Sequence, residues 1–393
     1  MFLPLGSHPP ANAFLTADQL SEPEFSCALD THVCLDCGLI QVPNRLPPDF
    51  FRNYLYVPSA AETMHAHFDT LSEQVCGGIV RDPSGLVVDI GSNDGLFLSF
   101  VRRRGWRALG IEPATNLAEI ARMRGVDVVN DYFTLGTARA ARDRYGPAAA
   151  IVTTNTFNHI DDLHAFMESV VVLLADDGTF IIEVPHAVDL VEKNEFDTVY
   201  HEHVSEFSVR SIVDLFRFFD MRVACVEPLK VHGGSMRIFG RRNGGTSLEP
   251  AVAAWIASER QAGIFERATY ERFRERVESI RTELLELLGD IKGRGQRVAG
   301  YGAPAKGNTL LNYYGIGPDV LDYLADRSPL KHGLYSPGMH IPVVPPERVL
   351  ETQPDYLLIL AWNFADEIVR QQAEYRRRGG RFILPIPEPV IVG

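Results

Sequence analysis

Cysteine is scarce, with five residues in a chain of 393. That excludes a disulfide framework and points to a reduced, cytoplasmic protein. Positive charge is in deficit: 38 Lys and Arg stand against 51 Asp and Glu, a net charge of −13. Nucleic acid is therefore not an expected partner, although a local basic pocket for a phosphorylated small molecule is compatible with the balance. Apolar runs never approach the roughly 20 residues that span a bilayer, so no membrane partner is expected. The opening Met1–Gly6 lacks the basic and long apolar regions of a signal peptide. What is present, 46% hydrophobic and 23% charged residues, is the composition of a folded multi-domain enzyme.

The first 75 or so residues are rich in proline and poor in periodic runs; they read as a small irregular lobe holding Cys27, Cys34, Cys37 and the aromatic group Phe50, Phe51, Tyr54 and Tyr56. From about Gly85, short apolar runs alternate with helical stretches: strands at 86–90, 108–111, 126–129, 149–153 and 179–184, with helices at 96–104, 114–124 and 161–175. This pattern predicts an open, mainly parallel α/β sheet. A long helical stretch over 253–292 carries Phe273, Val277, Ile280, Leu284, Leu287 and Ile291 on one face, which reads as packing against a neighbouring domain. A second α/β pattern follows, with strands at 296–299, 320–324 and 356–360. The expected domains are 1–75, 76–245 and 246–393.

The strand 86–90 ends in Asp89, then Gly91-Ser92-Asn93-Asp94-Gly95; the next strand ends at Glu112-Pro113. Glycines let backbone pass close beneath a ligand, and an acidic residue about 20 positions on can accept from both ribose hydroxyls. A dinucleotide site wants Gly-x-Gly-x-x-Gly so that a pyrophosphate reaches the helix N-terminus. Two carboxylates, Asp89 and Asp94, would repel a pyrophosphate but suit the ammonium and sulfonium of S-adenosylmethionine. Asn155, past the end of the strand 149–153, joins the candidate cofactor-binding set.

Tyr200-His201-Glu202-His203 places four titratable residues in a row. His-x-His would share one face of a strand and could hold a metal. The polar residues before it favour a loop at the strand ends, where an imidazole can accept a proton and a neighbouring carboxylate can fix its tautomer. His159 stands at another strand-end position.

These segments, with His232-Gly233-Gly234-Ser235-Met236-Arg237, the run Gly300 to Tyr313, Pro337 to Pro342 and Ala361 to Phe364, resemble the bacterial sugar C-methyltransferases that make branched-chain deoxysugars. The resemblance runs almost end to end. It implies a zinc-binding N-terminal lobe, a central Rossmann-like S-adenosylmethionine-binding sheet and a C-terminal Rossmann-like domain, with a nucleotide-linked 4-keto-deoxysugar between the last two. His203 would remove the proton next to the ketone. Tyr200, Glu202, His159 and Tyr54 or Tyr56 would orient it or stabilise the enolate oxygen. His232, Gly234 and Ser235 would form a turn near the sugar, and Lys306 and Asn308 would meet the diphosphate or base.

The chain departs from that pattern at its start. Only Cys34 and Cys37 remain of two expected Cys-x-x-Cys pairs, and two thiolates do not close a tetrahedral zinc site. Three explanations stand: an internal methionine start, ranked first; completion by Cys27 or His32; or no zinc. Glu206 takes the place of an aromatic residue, which would reshape the sugar pocket, and Cys76 and Cys225 read as core thiols. The resulting expectation is a monomeric C-methyltransferase acting at C3. The alternatives are a sugar O- or N-methyltransferase of the same fold, a nucleotide-dependent oxidoreductase, or a non-catalytic binding protein.

Overall fold

The computed structural model describes residues 1–47, 49–242 and 248–393, the side chain of His232 aside. Strands β1 (Leu3–His8), β2 (Cys27–Val33) and β3 (Ile40–Gln41) form an antiparallel sheet whose fourth member is a distant two-residue strand, Ser205–Glu206. The N-terminal lobe thus has more regular structure than its prolines suggest. Leu3 and Leu5 point inward and Pro4 and Gly6 outward, the two-residue alternation of a strand with one dry face.

The central sheet contains β4 (Leu86–Ile90), β5 (Arg107–Ile111), β6 (Asp127–Val129), β7 (Ala148–Thr154), β8 (Leu174–Pro185), β10 (Met221–Leu229) and β11 (Ser235–Arg242); β9 is Ser205–Glu206 of the small sheet. The order is β10-β11-β8-β7-β4-β5-β6, parallel except that β11 runs against both neighbours. All five residues of β4 are buried. Leu86, Val88 and Ile90 join the apolar cluster with Ala138 and Phe166, while Val87 joins the opposite cluster with Phe68 and Phe97. Helices therefore cover both faces, which is why the strand is continuously apolar. Helix Glu62–Val75, in a stretch expected to be irregular, lays Met64, Phe68, Leu71 and Val75 on this sheet. Each such burial contributes about 1.5–3 kcal/mol.

The stretch expected as one helix is two, Pro250–Gln261 and Arg267–Gly293, separated where Gly263 adopts φ +75°. On the second, Leu288 rather than Leu287 continues the buried stripe. A straight helix repeats every 3.6 residues, and an alternating four–three count drifts off its inner face. That stripe packs with Val298, Leu310 and Leu324 of the C-terminal domain. There β12 (Val298–Tyr301), β13 (Leu321–Ala325), β14 (Val343–Val344), β15 (Tyr356–Ile359), β16 (Arg381–Leu384) and β17 (Val390–Val392) lie in the order β14-β13-β12-β15-β16-β17, parallel but for β17. Cys76 is buried, whereas Cys225 is exposed, because β10 lies at the sheet edge. Among the described residues, no helix is long and apolar enough to cross a membrane.

Both parallel sheets reverse direction at their first strand: β5 and β7 flank β4, and β13 and β15 flank β12. Ligands of such sheets bind in the crevice at the carboxyl ends beside that point. Here the two crevices open onto one cavity of about 490 Å³, lined by residues 89–94 and 154–156 of the first sheet and by residues 304–306, 361, 363 and 364 of the second. Bonds across the lobes fix its walls. Trp362 Nε1 donates to Asp197 Oδ2 at 2.7 Å. The Glu367 carboxylate accepts from the amides of Glu62 and Thr63 at 3.2 Å, capping the N-terminus of the helix they begin.

Candidate active site

The glycine loop shapes one end of the cavity. Gly91 has φ +71°, and a Cβ there would lie 2.6 Å from Thr156 Cγ2; Gly95 has φ +73° with Ala121 Cβ 2.8 Å from the same virtual atom. Both positions exclude a side chain, and the loop hugs the helix after it. Asn155 also takes positive φ, +52°, and its amide donates to the Glu183 carbonyl, turning the end of β7 along the cavity wall. Asn93 N donates to Glu112 Oε2 at 2.7 Å and Ala114 N to Oε1 at 2.8 Å. Each Glu112 oxygen keeps capacity for a further donor, and burial pushes this carboxyl up to about 7 against the pull of those amides. Ser92, Asn93 and Pro113 line the same wall.

Asp89 and Asp94 differ. Asp89 is buried, its Oδ1 has no hydrogen-bond partner, and burial together with the charges of Glu112 and Glu183 holds its pKa well above the ordinary range. Asp94 instead stands 3.2 Å from the Arg124 guanidinium and accepts from Leu96 N, so its charge is already compensated. The acid expected at both positions to meet a cation is therefore concentrated at Asp89. The unpaired buried Asp89 oxygen and the Glu112 acceptor fit a cationic ligand carrying ribose hydroxyls.

At the other end, residues 200–203 form a tight turn in which His203 N donates to the Tyr200 carbonyl at 2.8 Å. This is not a strand, so the two histidines do not share a face. Both line the cavity, but His201 Nε2 lies 3.0 Å from the Cys27 carbonyl in the N-terminal lobe, whereas His203 meets Tyr200 and His159. His203 Nε2 is 2.5 Å from the Tyr200 hydroxyl, and His159 stands edge-on with ring centroids 4.9 Å apart. Burial lowers the pKa of both imidazoles well below the usual value; Lys306 adds to the effect on His203, and His203 to that on His159.

Glu202 does not touch His203. Its Oε2 accepts from the Tyr54 hydroxyl at 2.5 Å and from Asn12 Nδ2 at 2.7 Å, and burial raises it to about 7. Glu202 therefore fixes Tyr54, and the carboxyl that reaches His203 is Glu206, with Oε1 3.0 Å from Nδ1. Glu206 lies behind the imidazole rather than among the cavity-lining residues, so it does not shape the pocket wall as expected. Tyr56 lines the cavity, and its carbonyl accepts from Asn93 Nδ2 at 3.0 Å, pinning the aromatic segment to the glycine loop.

The expected substrate-binding residues divide. Lys306 is buried at the cavity wall with Nζ 4.8 Å over the Trp362 ring. Asn308 is not on that wall: one helical turn deeper, its Nδ2 donates to the Ala11 carbonyl at 2.7 Å and ties two lobes together. Gly234 and Ser235 also lie outside the cavity lining, at the β10–β11 hairpin, where Ser235 pairs with Pro185 and its hydroxyl donates to the Val231 carbonyl. His232, as a side chain, lies outside the described residues. Asn12 and Lys331 are among the cavity residues that were not foreseen. Asn12 sits in a proline-rich opening with no motif, and Lys331, buried with Nζ donating to the Ala303 carbonyl at 2.7 Å, has no sequence signal beyond its charge.

Cys34 and Cys37 form a knuckle closed by Gly38 N donating to the Cys34 carbonyl at 2.8 Å, and burial pushes the Cys37 thiol up to about 11. Among the described residues, no group of three or more His, Cys, Asp or Glu side chains could hold a metal ion. Neither Cys27 nor His32 completes the pair, and two thiols alone do not fit a tetrahedral zinc site.

A parallel sheet with one reversed strand, a glycine loop at its switch point, and an acidic acceptor after the second strand define an S-adenosylmethionine-dependent methyltransferase. Family models for a zinc binding domain, a methyltransferase domain and a C-methyltransferase C-terminal domain match residues 1–51, 66–226 and 230–387. C-methyltransferase NovU of Streptomyces niveus is 39% identical over 389 residues, covering 98% of this chain and 93% of that one. The chain belongs to the C-methyltransferase family. Solved structures align over about half of it. The mitomycin 7-O-methyltransferase MmcR shares 19% identity, covering 45% of this chain and 54% of its own, with a TM-score of 0.34. The magnesium protoporphyrin IX methyltransferase of Synechocystis PCC 6803 shares 11%, covering 49% and 88%, with a TM-score of 0.36.

Proposed function

We propose that the acceptor is the carbon beside the ketone of a nucleotide-linked 4-keto-deoxysugar, methylated at C3, with His203 as the base. The observation that carries this reading is the cavity itself, which has Asp89 and Glu112 at one end and the Tyr200–His203–His159 cluster at the other. Bound S-adenosylmethionine supplies a methyl group already activated by its cationic sulfur. Asp89, Ser92 and Glu112 would hold that donor. His203 takes the ring proton, and the electron pair moves onto the carbonyl oxygen. On substrate binding the Tyr200 hydroxyl leaves His203 Nε2 and, with His159, donates to the developing oxyanion, while Tyr54 stays bound to Glu202. Two buried lysines, Lys306 and Lys331, reach the cavity of a strongly acidic chain. They suit an anionic diphosphate, and residues 304–306 bring a helix N-terminus to the same wall.

The test is incubation of several nucleotide-linked 4-keto-6-deoxysugars in deuterated water, followed by mass spectrometry. Deuterium should enter one ring carbon without the methyl donor, and one methyl group should appear there with it. The His203→Asn variant should lose both. Unimpaired exchange in that variant would remove His203 from the role of base, and methylation at oxygen would overturn the acceptor assignment.

A further inference from the structure

Both ring nitrogens of His203 are committed: Nε2 to the Tyr200 hydroxyl at 2.5 Å and Nδ1 to Glu206 Oε1 at 3.0 Å. Glu206 is 1% exposed and His203 6%. The second carboxyl oxygen, Glu206 Oε2, is buried with no hydrogen-bond partner. A carboxyl in this setting gives up its hydration and gains one contact, that with the imidazole, so burial holds its pKa well above the ordinary range while the nearby Lys306 ammonium pulls it down. Its position is set from outside the turn. Glu206 lies on β9, where its Cα pairs with that of Ile40 on β3, and neighbouring Ser205 faces the other side with Gln41 and Val42 around a separate hollow.

We propose that Glu206 is the positioning residue for the base: it accepts the Nδ1 proton of His203, directs the Nε2 lone pair to the cavity, and compensates the charge when that nitrogen is protonated. This rests on the reading of His203 as base. When substrate enters, the Tyr200 hydroxyl gives up Nε2; as the C–H bond breaks the proton passes to Nε2, the electron pair moves to the carbonyl oxygen, and the Nδ1 proton stays on its bond to Glu206. The charge balance around the ring explains the need for such a group. Tyr200 precedes the imidazole on its own turn, His159 meets it edge-on from the loop after β7, and Lys306 approaches from the C-terminal domain. Burial and the Lys306 ammonium both disfavour an imidazolium, a backbone bond to Thr198 favours it more weakly, and Glu202 is occupied with Tyr54 and Asn12. Glu206 is the carboxyl in hydrogen-bond contact with the ring. Once ionised against the Lys306 ammonium, such a partner fixes the tautomer and stabilises the cation that forms.

The test uses the full chain with Glu206→Gln, Glu206→Asp and His203→Asn. Glu206→Gln keeps an acceptor for Nδ1–H but removes the charge. Deuterium exchange into a nucleotide-linked 4-keto-6-deoxysugar and kcat for methyl transfer should each fall about 100-fold, with KM little changed. The acid limb of kcat/KM should move down by about one pH unit or more, because an imidazole without its anion is harder to protonate. Glu206→Asp should recover part of both effects. Binding of S-adenosylhomocysteine checks that each variant is folded. A merely structural role would depress rate and binding together and leave the limb in place, which would overturn the inference. Wild-type exchange in Glu206→Gln while His203→Asn is inactive would overturn it too, leaving the base assignment intact. Unimpaired exchange in His203→Asn would sink both. If Glu206→Gln does not bind S-adenosylhomocysteine, Glu206→Asp decides, since its limb moves down only if the carboxylate sets the basicity.

Discussion

Glu112 offers a test of the cofactor end that needs no sugar substrate. Burial holds its carboxyl at about 7, against an ordinary 4.5, so at pH 5 only about 1% of it is ionised. If ribose hydroxyls donate to this carboxylate, a proton competes with them. Affinity for S-adenosylhomocysteine should then weaken roughly 100-fold between pH 8 and pH 5, about 2.7 kcal/mol. Unfolding would not mimic the effect. The folded chain binds the Glu112 proton more tightly than the unfolded chain does, so this group's contribution to stability rises as pH falls from about 7 toward 4.5. Glu202, Glu195 and Asp197, likewise raised by burial to about 7, 7 and 6, carry the same sign. Calorimetric titration from pH 5 to 8 should show the slope in the native chain. It should show weaker binding in Glu112→Gln, with the slope reduced to what the buried Asp89 carboxyl leaves. A flat native profile, or an undiminished slope in Glu112→Gln, would refute the ribose assignment.

Gly91→Ala should cost about 1–2 kcal/mol from its left-handed backbone alone and more from the contact with Thr156, where Cγ2 is 2.6 Å from the added atom. Urea denaturation should show this loss, and Gly91→Ala/Thr156→Gly should recover the contact part only. Tyr54→Phe removes the hydroxyl that donates to Glu202 at 2.5 Å and leaves a buried carboxyl one partner short. Stability should fall by about 1–3 kcal/mol, and kcat should fall while S-adenosylhomocysteine affinity, measured by calorimetry, stays near that of the native chain.

The central sheet was legible because its strands are buried on both faces, so runs such as Leu86 to Ile90 stand out as unbroken apolar segments. Glu112 was legible because its distance from Gly91 is set by one β–α–β turn of chain. The N-terminal strands were hidden: Pro4 and Gly6 fall on the outward positions of β1, where they cost little, and mask its alternation. Glu206 was misassigned for a different reason. Three residues from His203 means a shared face only in a helix, and here the approach depends on pairing with Ile40, far back in the chain. Asn308 and Ser235 carried the polar chemistry expected of ligand contacts, but their bonds are spent on Ala11 and Val231. Sequence proximity to a glycine turn does not reveal which way such a group faces.

The short strand Ser205–Glu206 follows the histidine turn immediately and is matched to the lobe by two residue pairs alone. Successive residues in a strand face opposite sides, so slippage by a single position would bring a serine hydroxyl beneath the imidazole and swing the carboxyl away. The small N-terminal sheet therefore works as a gauge for the alignment of an acid with a base. An insertion or deletion between the cysteine knuckle and Gln41 would be felt at His203, although neither segment touches a reacting atom.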